Sequence, residues 1–246
     1  MGALQIDIDY FKRGEEENPK FWKRFGGLPD LKNKKILDVG CGHGSMCIFL
    51  ANEGAGRVIG LELDPVRYKF AKENLTNNYS EFENNVEFHL QRIEELEEYD
   101  FDIMVSKDTF EHIIRLEDVL LEMKRRLRPG GKIYSGFGAL YNAFNGDHGR
   151  TNAVIPWGHL IIPETYLLKR LYKESKGTIK SVYDLGLNKL SLKEYKDIFR
   201  KSSMDIIFFE VNKTDRLMGK LFNVFRRIPF LEEYFSYMIH VILRKN

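Results

Sequence analysis

Little in this 246-residue chain points away from an ordinary globular enzyme, and what it lacks does most of the excluding. It has two cysteines, Cys41 and Cys47, close together in sequence. One falls in a glycine turn and the other on the helix expected after it. That excludes a disulfide staple, and neither cysteine pairs with a histidine at a metal-ligand spacing. Both read as small buried side chains in a reducing compartment. Net charge is also scarce: 38 Lys and Arg stand against 36 Asp and Glu, for a formal +2. With the two signs interspersed, no electrostatic footprint for nucleic acid results. No apolar run approaches the length needed to span a bilayer. The opening MGALQIDIDYF lacks the basic stretch and apolar run of a secretory signal, so a cytoplasmic location is expected. There is no internal repeat and no low-complexity linker. The length suits a single domain with a substantial core.

What is present centres on Lys35 to Gly44, KILDVGCGHG. An apolar strand runs into glycines at alternate positions, Gly40, Gly42 and Gly44, and a helix-like segment opens at Ser45. Strand, glycine turn and helix form the first unit of a nucleotide-binding α/β fold. A second acid, Glu62, ends the next strand, RVIGLE, where a carboxylate can accept hydrogen bonds from ribose hydroxyls. An adenosyl ligand is therefore expected. A dinucleotide is disfavoured, because Ser45 stands where the GxGxxG fingerprint needs its third glycine. Asp38 would also set negative charge beside a pyrophosphate. The same carboxylate suits a ligand with an ammonium and a sulfonium, and S-adenosylmethionine is such a ligand.

The remaining pattern alternates strands and helices. Strands are expected at 35–39, 57–62, VEFHL (86–90), FDIMVS (101–106) and KIYSGF (132–137), with helices at 45–53, from Asp64–Pro65 to about Asn74, and at 115–127. Such alternation gives an α/β, doubly wound, mostly parallel sheet. Before it, Phe21, Trp22 and Phe25 fall at helical spacing, with Pro19 near the expected helix start. That helix either packs on the sheet edge or forms a lid, with Tyr10, Phe11 and Trp22 as lid candidates. Beyond Gly138 come an irregular segment (139–160), helices at 163–174 and 191–202, a strand DIIFFEV, a basic and apolar segment (213–228) and a last strand SYMIHVILR.

KILDVGCGHG, VIGLELDP, FDIMVSKDTFEHI and LRPGGKIY, in that order between Asn33 and Gly138, resemble the class I S-adenosylmethionine-dependent methyltransferases, most closely their small-molecule branch. The resemblance implies a Rossmann-like seven-stranded sheet of order 3-2-1-4-5-7-6, its last strand inserted antiparallel. It implies one domain: a helical cap (1–33), a cofactor-binding core (34–138), an acceptor-side insertion and helices (139–204) and the last strands (205–246). Ligands of such sheets sit beyond the carboxyl ends of the strands. The cofactor candidates are accordingly Asp38 for the ammonium, Gly40, Gly42 and Gly44 for the methionine part, Glu62 for the ribose and Leu63 for the adenine face. Gln91, Arg92 and Ile93 follow strand three, Gln91 standing where many relatives carry an aspartate for the adenine amino group. Ser106 and Lys107 close strand four. Glu111 and His112 match the family's Glu-His pair, as an acceptor contact and a base or as a loop-ordering pair.

In the irregular segment, Tyr141, Asn145, Asp147, His148, Trp157 and His159 are clustered. Long irregular loops in compact domains are often functional, which suggests an acceptor pocket with His148 and His159 as further candidate bases; a surface loop pinned by aromatic anchors is the other reading. No metal is assigned. The expected reaction moves the methyl group of S-adenosylmethionine to a small-molecule, saccharide or lipid-like acceptor, with oxygen as the favoured atom, and releases S-adenosylhomocysteine. A nicotinamide-dependent oxidoreductase and a catalytically silent binding module are the alternatives. The segment 213–228 pairs Leu217, Leu221, Val224 and Phe225 with Lys213, Arg216, Lys220, Arg226 and Arg227. It reads either as a helix lying on an anionic membrane or as a cover for the acceptor pocket.

Overall fold

A computed structural model of the chain describes residues 3–153, 155–213 and 217–246; Arg216 lies outside them. The first helix, α1 (Ala3–Arg24), precedes β1 (Lys35–Val39), α2 (Ser45–Asn52), β2 (Arg57–Glu62), α3 (Pro65–Asn78), β3 (Val86–Leu90), β4 (Phe101–Lys107), α4 (Leu116–Arg126) and β5 (Leu127–Gly138). Then come α5 (Gly158–Ile161), α6 (Glu164–Glu174), α7 (Leu192–Lys201), β6 (Asp205–Val211), α8 (Leu217–Phe225), α9 (Glu232–Phe235) and β7 (Met238–Arg244). The seven strands form one sheet in the order β3-β2-β1-β4-β5-β7-β6, the order the resemblance implied. Pairs β3–β2, β2–β1 and β1–β4 are parallel. The β7 strand runs back along β5: the Gly130 amide near one end of β5 donates to Lys245, while the Leu140 amide just past the other end donates to Tyr237.

By packing, the chain divides into two compact units. One comprises Met1–Lys107, Val119–Tyr134 and Ile242–Asn246, the other Asp108–Asp118 and Ser135–Val241. In the first, the central β1 is buried from Ile36 to Val39 and β4 from Ile103 to Ser106, as parallel strands covered on both faces must be. Asp64 caps α3 by accepting from Val66 and Arg67 amides, with Pro65 at its first position. Cys41 and Cys47 are free and buried.

Helix α1 differs from the sequence expectation. Pro19 lies inside it rather than near its start. The ring removes one backbone hydrogen bond, but a long buried stripe holds the helix on both sides of it. Phe11, Asn18, Phe21 and Trp22 are all buried, at steps of three, four and seven residues that fall on one helical face. Burying each large apolar side chain contributes about 1.5–3 kcal/mol, enough to offset the missing bond. On the same face Gly14 meets the start of α2 so closely that a Cβ there would lie 2.2 Å from Ser45 Oγ. Two other boundaries moved. Helix α3 runs one turn further than expected, to Asn78, and β5 begins at Leu127 because the RPGG stretch pairs with Lys245. The short helices α5 and α9 leave too few residues for a readable period.

In the second unit an aromatic core joins Phe110, Phe137, Tyr195 and Phe199, with ring centroids 4.9–6.5 Å apart. The expected capping box at Ser191 and Glu194 is present at the start of α7. Among the described residues, no helix is long and apolar enough to cross a membrane.

Candidate functional site

In the first unit the glycine turn folds back on β2. The amides of Gly40 and Cys41 both donate to the Leu61 carbonyl at 2.9 Å. The Glu62 carboxylate is buried and already engaged: Oε1 accepts from the amides of Leu63 (2.7 Å) and Asp64 (2.8 Å), Oε2 from that of Gly42 (2.8 Å). A carboxylate offers about four lone-pair positions, so one acceptor position stays open for a ligand hydroxyl. Leu63 is 62% exposed, and the register pairing Glu62 with Leu90 sets Leu63 beside the half-buried Gln91 at the same sheet edge. An apolar side chain left in water beside an amide is a platform for a flat, hydrogen-bonding ring. The exposed Arg92 gives its amide to Glu95, and Ile93 is buried.

Asp38 sits in β1, 2% exposed, with Cys47 Sγ donating to it at 3.5 Å. Burial pushes its carboxyl up to about 7, against the opposing pull of Cys47 and the Lys107 charge. Lys107 Nζ donates to Asn18 Oδ1 at 3.1 Å. Asn18 is completely buried and, among the described residues, its Nδ2 has no partner; Trp22 Nε1, on the same helix, has none there either. The end of β4 thus carries an ammonium and a spare amide donor near the Asp38 carboxyl, a combination suited to a zwitterionic amino-acid group.

The second unit holds the other candidates. Glu111 is buried; Oε1 accepts from the Gly138 amide at 3.1 Å and, among the described residues, Oε2 has no hydrogen-bond partner. Burial first, and then the nearby Asp108 charge, raise its carboxyl to about 8, so at neutral pH it is a neutral acid able to donate. His112 Nδ1 faces the Gly186 carbonyl at 2.7 Å, His148 Nε2 faces that of Ala139 at 3.0 Å, and the two rings lie 5.2 Å apart. A carbonyl accepts only, so each facing nitrogen carries the proton; in the neutral His148 ring the opposite nitrogen holds the lone pair. Burial lowers the His148 pKa, which keeps that ring a neutral base. His159 is held from both sides: Nε2 donates to the Tyr141 carbonyl at 2.6 Å, and Nδ1 lies 3.8 Å from Asp147. Burial works to raise Asp147, but bonds from the Thr151 hydroxyl and the Gly149 and Thr151 amides outweigh it and hold the carboxylate below its usual range.

Residues 30–145 match the family model described as a methyltransferase domain. Over those residues, a little under half of the chain, the sequence resembles methyltransferase domains, and the fold is that of the class I methyltransferases. It is 38% identical over 111 residues to a tRNA U34 carboxymethyltransferase of Cellvibrio japonicus, covering 43% of this chain and 33% of that protein. It is 26% identical over 163 residues to a ubiquinone biosynthesis O-methyltransferase of Neisseria meningitidis serogroup C, covering 65% and 62%. The chain therefore spans between a third and about three-fifths of these relatives' length. An S-adenosylmethionine dependent methyltransferase from Mesorhizobium loti superposes with a TM-score of 0.59 at 16% identity, over 93% of this chain and 97% of that one.

In the first unit the structure brings Asp38, Gly40, Gly42, Glu62, Leu63, Gln91 and Lys107 to the carboxyl ends of β1 to β4. Two of the sequence candidates are committed elsewhere. Ser106 is fully buried, its hydroxyl donating to the Val39 carbonyl at 3.0 Å, so it straps β4 to β1 and offers no side-chain group to a ligand. Gly44 turns inward: at φ 83° a Cβ would lie 2.6 Å from the Phe88 ring, so packing demands that glycine. In the second unit, His159 and Asp147 lock the loop. Trp157 Nε1 donates to the Tyr234 carbonyl at 3.2 Å, and its ring packs on Phe144 and Phe235. Tyr141 packs edge-on against His159, with Lys189 over its face; Asn145 is exposed. These are the aromatic anchors of the loop's second reading.

Sequence reading missed three residues. His43, inside the glycine motif, is buried against Tyr10 and Phe70 and bonds Asp7 of α1 at 2.9 Å. Asn18 was the second; its signal was the seven-residue step from Phe11 on the buried stripe. Asn188, the third, donates from Nδ2 to the carbonyls of Phe110 (2.7 Å) and Ile113 (3.1 Å), which fixes the loop of Glu111 and His112. No local pattern announces it.

Proposed function

We propose that this protein transfers the methyl group of S-adenosylmethionine to a small or medium-sized acceptor and releases S-adenosylhomocysteine. The observation that carries the reading is the Glu62 carboxylate, buried at the end of β2 and bonded to the Gly42 amide with one acceptor position left. That geometry supports ribose binding, and residues 30–145 resemble a methyltransferase domain. Asp38 would face the ammonium, Lys107 and Asn18 the carboxylate, and Leu63 and Gln91 the adenine.

The sulfonium is already activated, so holding donor and acceptor at attack distance supplies much of the rate. A base matters when the acceptor is a hydroxyl, and oxygen is the acceptor atom we favour. His148 is the base of choice, because its carbonyl partner leaves a lone pair on the second nitrogen; the His112 ring, 5.2 Å away, is the second candidate. His159 has no such freedom. Protonated Glu111 would donate a hydrogen bond to the acceptor.

Thermal unfolding with S-adenosylhomocysteine, with NAD as the comparison, tests the reading. A ligand at a hundred times its dissociation constant adds about 2.7 kcal/mol. Stabilisation by S-adenosylhomocysteine alone is the expected result. Stabilisation by NAD alone would replace the reading with that of an oxidoreductase.

A further inference from the structure

Helix α8 and the turn after it are apolar on both sides. The inner side is anchored: Phe222 is buried among Phe144, Phe235 and Tyr237, with ring centroids 5.2–5.8 Å apart. The outer side carries Leu217, Leu221, Val224 and Ile228, at steps of four, three and four residues. Such steps trace one stripe along a helix. All four are exposed, Leu217 to 83%, and Phe230, two residues further on, is 94% exposed. The sequence allowed these leucines to cover a pocket; in the structure they stand in solvent. Contiguous exposed apolar surface of this kind marks a contact site.

The charge around the stripe selects the partner. From Leu217 to Leu231 the sequence holds Lys220, Arg226 and Arg227 and no acid. Arg226 turns to Glu232 at 3.3 Å, while Lys220 and Arg227 are exposed beside the apolar row. A second copy docking by the same face would set these cations against their own equivalents. A surface with anionic groups above an apolar layer accepts both features at once.

We propose that the outer face of α8, together with Phe230, docks on an anionic lipid bilayer. The apolar row enters the boundary between headgroups and acyl chains, and Lys220 and Arg227 meet lipid phosphates. The inference is independent of the methyl-transfer reading.

Co-sedimentation of the full chain with vesicles tests it, using phosphatidylcholine alone or equal parts of phosphatidylcholine and phosphatidylglycerol. The anionic vesicles should bind the protein about tenfold better, and salt should weaken the binding. Leu221→Asp with Phe230→Ser, and separately Lys220→Glu with Arg227→Glu, should each reduce it about tenfold while the circular dichroism spectrum is unchanged. Absence of sedimentation with either vesicle overturns the proposal, as does equal binding to both that charge reversal leaves intact. A dimer in solution that Phe230→Ser dissociates would also overturn it, by showing that a second copy covers the face.

Discussion

The Gly42 amide donates to Glu62 Oε2 at 2.8 Å, so the turn that should receive a ligand is tied to the carboxylate that should hold it. Glu62→Ala therefore does two things. It leaves the amides of Gly42, Leu63 and Asp64 without their acceptor, and it removes the proposed ribose contact. A bond to a charged group is worth about 1.5–3 kcal/mol, so the variant should lose about 2 kcal/mol in urea denaturation without ligand. It should also show no further shift with S-adenosylhomocysteine. A variant as stable and as responsive as the parent would remove Glu62 from the site.

With the proposed role at the cofactor ammonium, Asp38 should make S-adenosylhomocysteine affinity depend on pH. Its folded carboxyl titrates at about 7, so below that value it is neutral and must lose a proton to face an ammonium. The dissociation constant for S-adenosylhomocysteine should rise up to about tenfold for each pH unit below 7 and level off above it. Calorimetric titrations from pH 5 to 8 would show this slope, and Asp38→Asn should flatten it.

For Glu111 the effect is on stability. Its carboxyl rises from 4.5 to about 8 on folding, so across that window the folded state holds a proton that the unfolded state has released. Stability attributable to this group is then complete below the unfolded pKa and falls as pH rises to about 8, by up to about 1.4 kcal/mol per unit. Asp38 acts in the same sense from 3.8 to about 7. Glu111→Gln should make the decline between pH 5 and 8 shallower in urea melts. An unchanged slope would place the Glu111 titration elsewhere.

Asn18 is open to a comparison of two ligands. 5′-Methylthioadenosine lacks the amino-acid group that Lys107 and Asn18 are proposed to hold. Asn18→Leu should weaken S-adenosylhomocysteine about tenfold, since an unpaired buried group costs about 1–3 kcal/mol, and leave 5′-methylthioadenosine unchanged. Equal losses for both ligands would assign Asn18 to packing alone.

The cofactor half was legible because its signals are local. Strand, glycine turn and terminal acid lie within residues 35–62, and short parallel strands fix their ends to one edge. Ser106 and Gly44 show the limit of that reading: position along the chain does not reveal that a hydroxyl is bonded across to Val39 or that a glycine faces Phe88. In the irregular loop the difficulty was greater. His148 and His159 each donate to a carbonyl of the loop, yet His159 also has the Asp147 carboxylate 3.8 Å from its second nitrogen. That distinction depends on how the loop folds back and not on sequence position. Asn188, seventy-odd residues from the loop it fixes, is invisible to any periodicity.

The first unit is assembled from three stretches, the last being Ile242–Asn246. Lys245 bonds reciprocally with Gly130 and Gly131 at the start of β5. A ribosome making this chain therefore releases the glycine turn, Glu62 and the whole of α1 long before the residues that complete their unit. The first unit is therefore complete only after Ile242–Asn246 have been made, and the bonds that Lys245 makes to β5 are among the last to form.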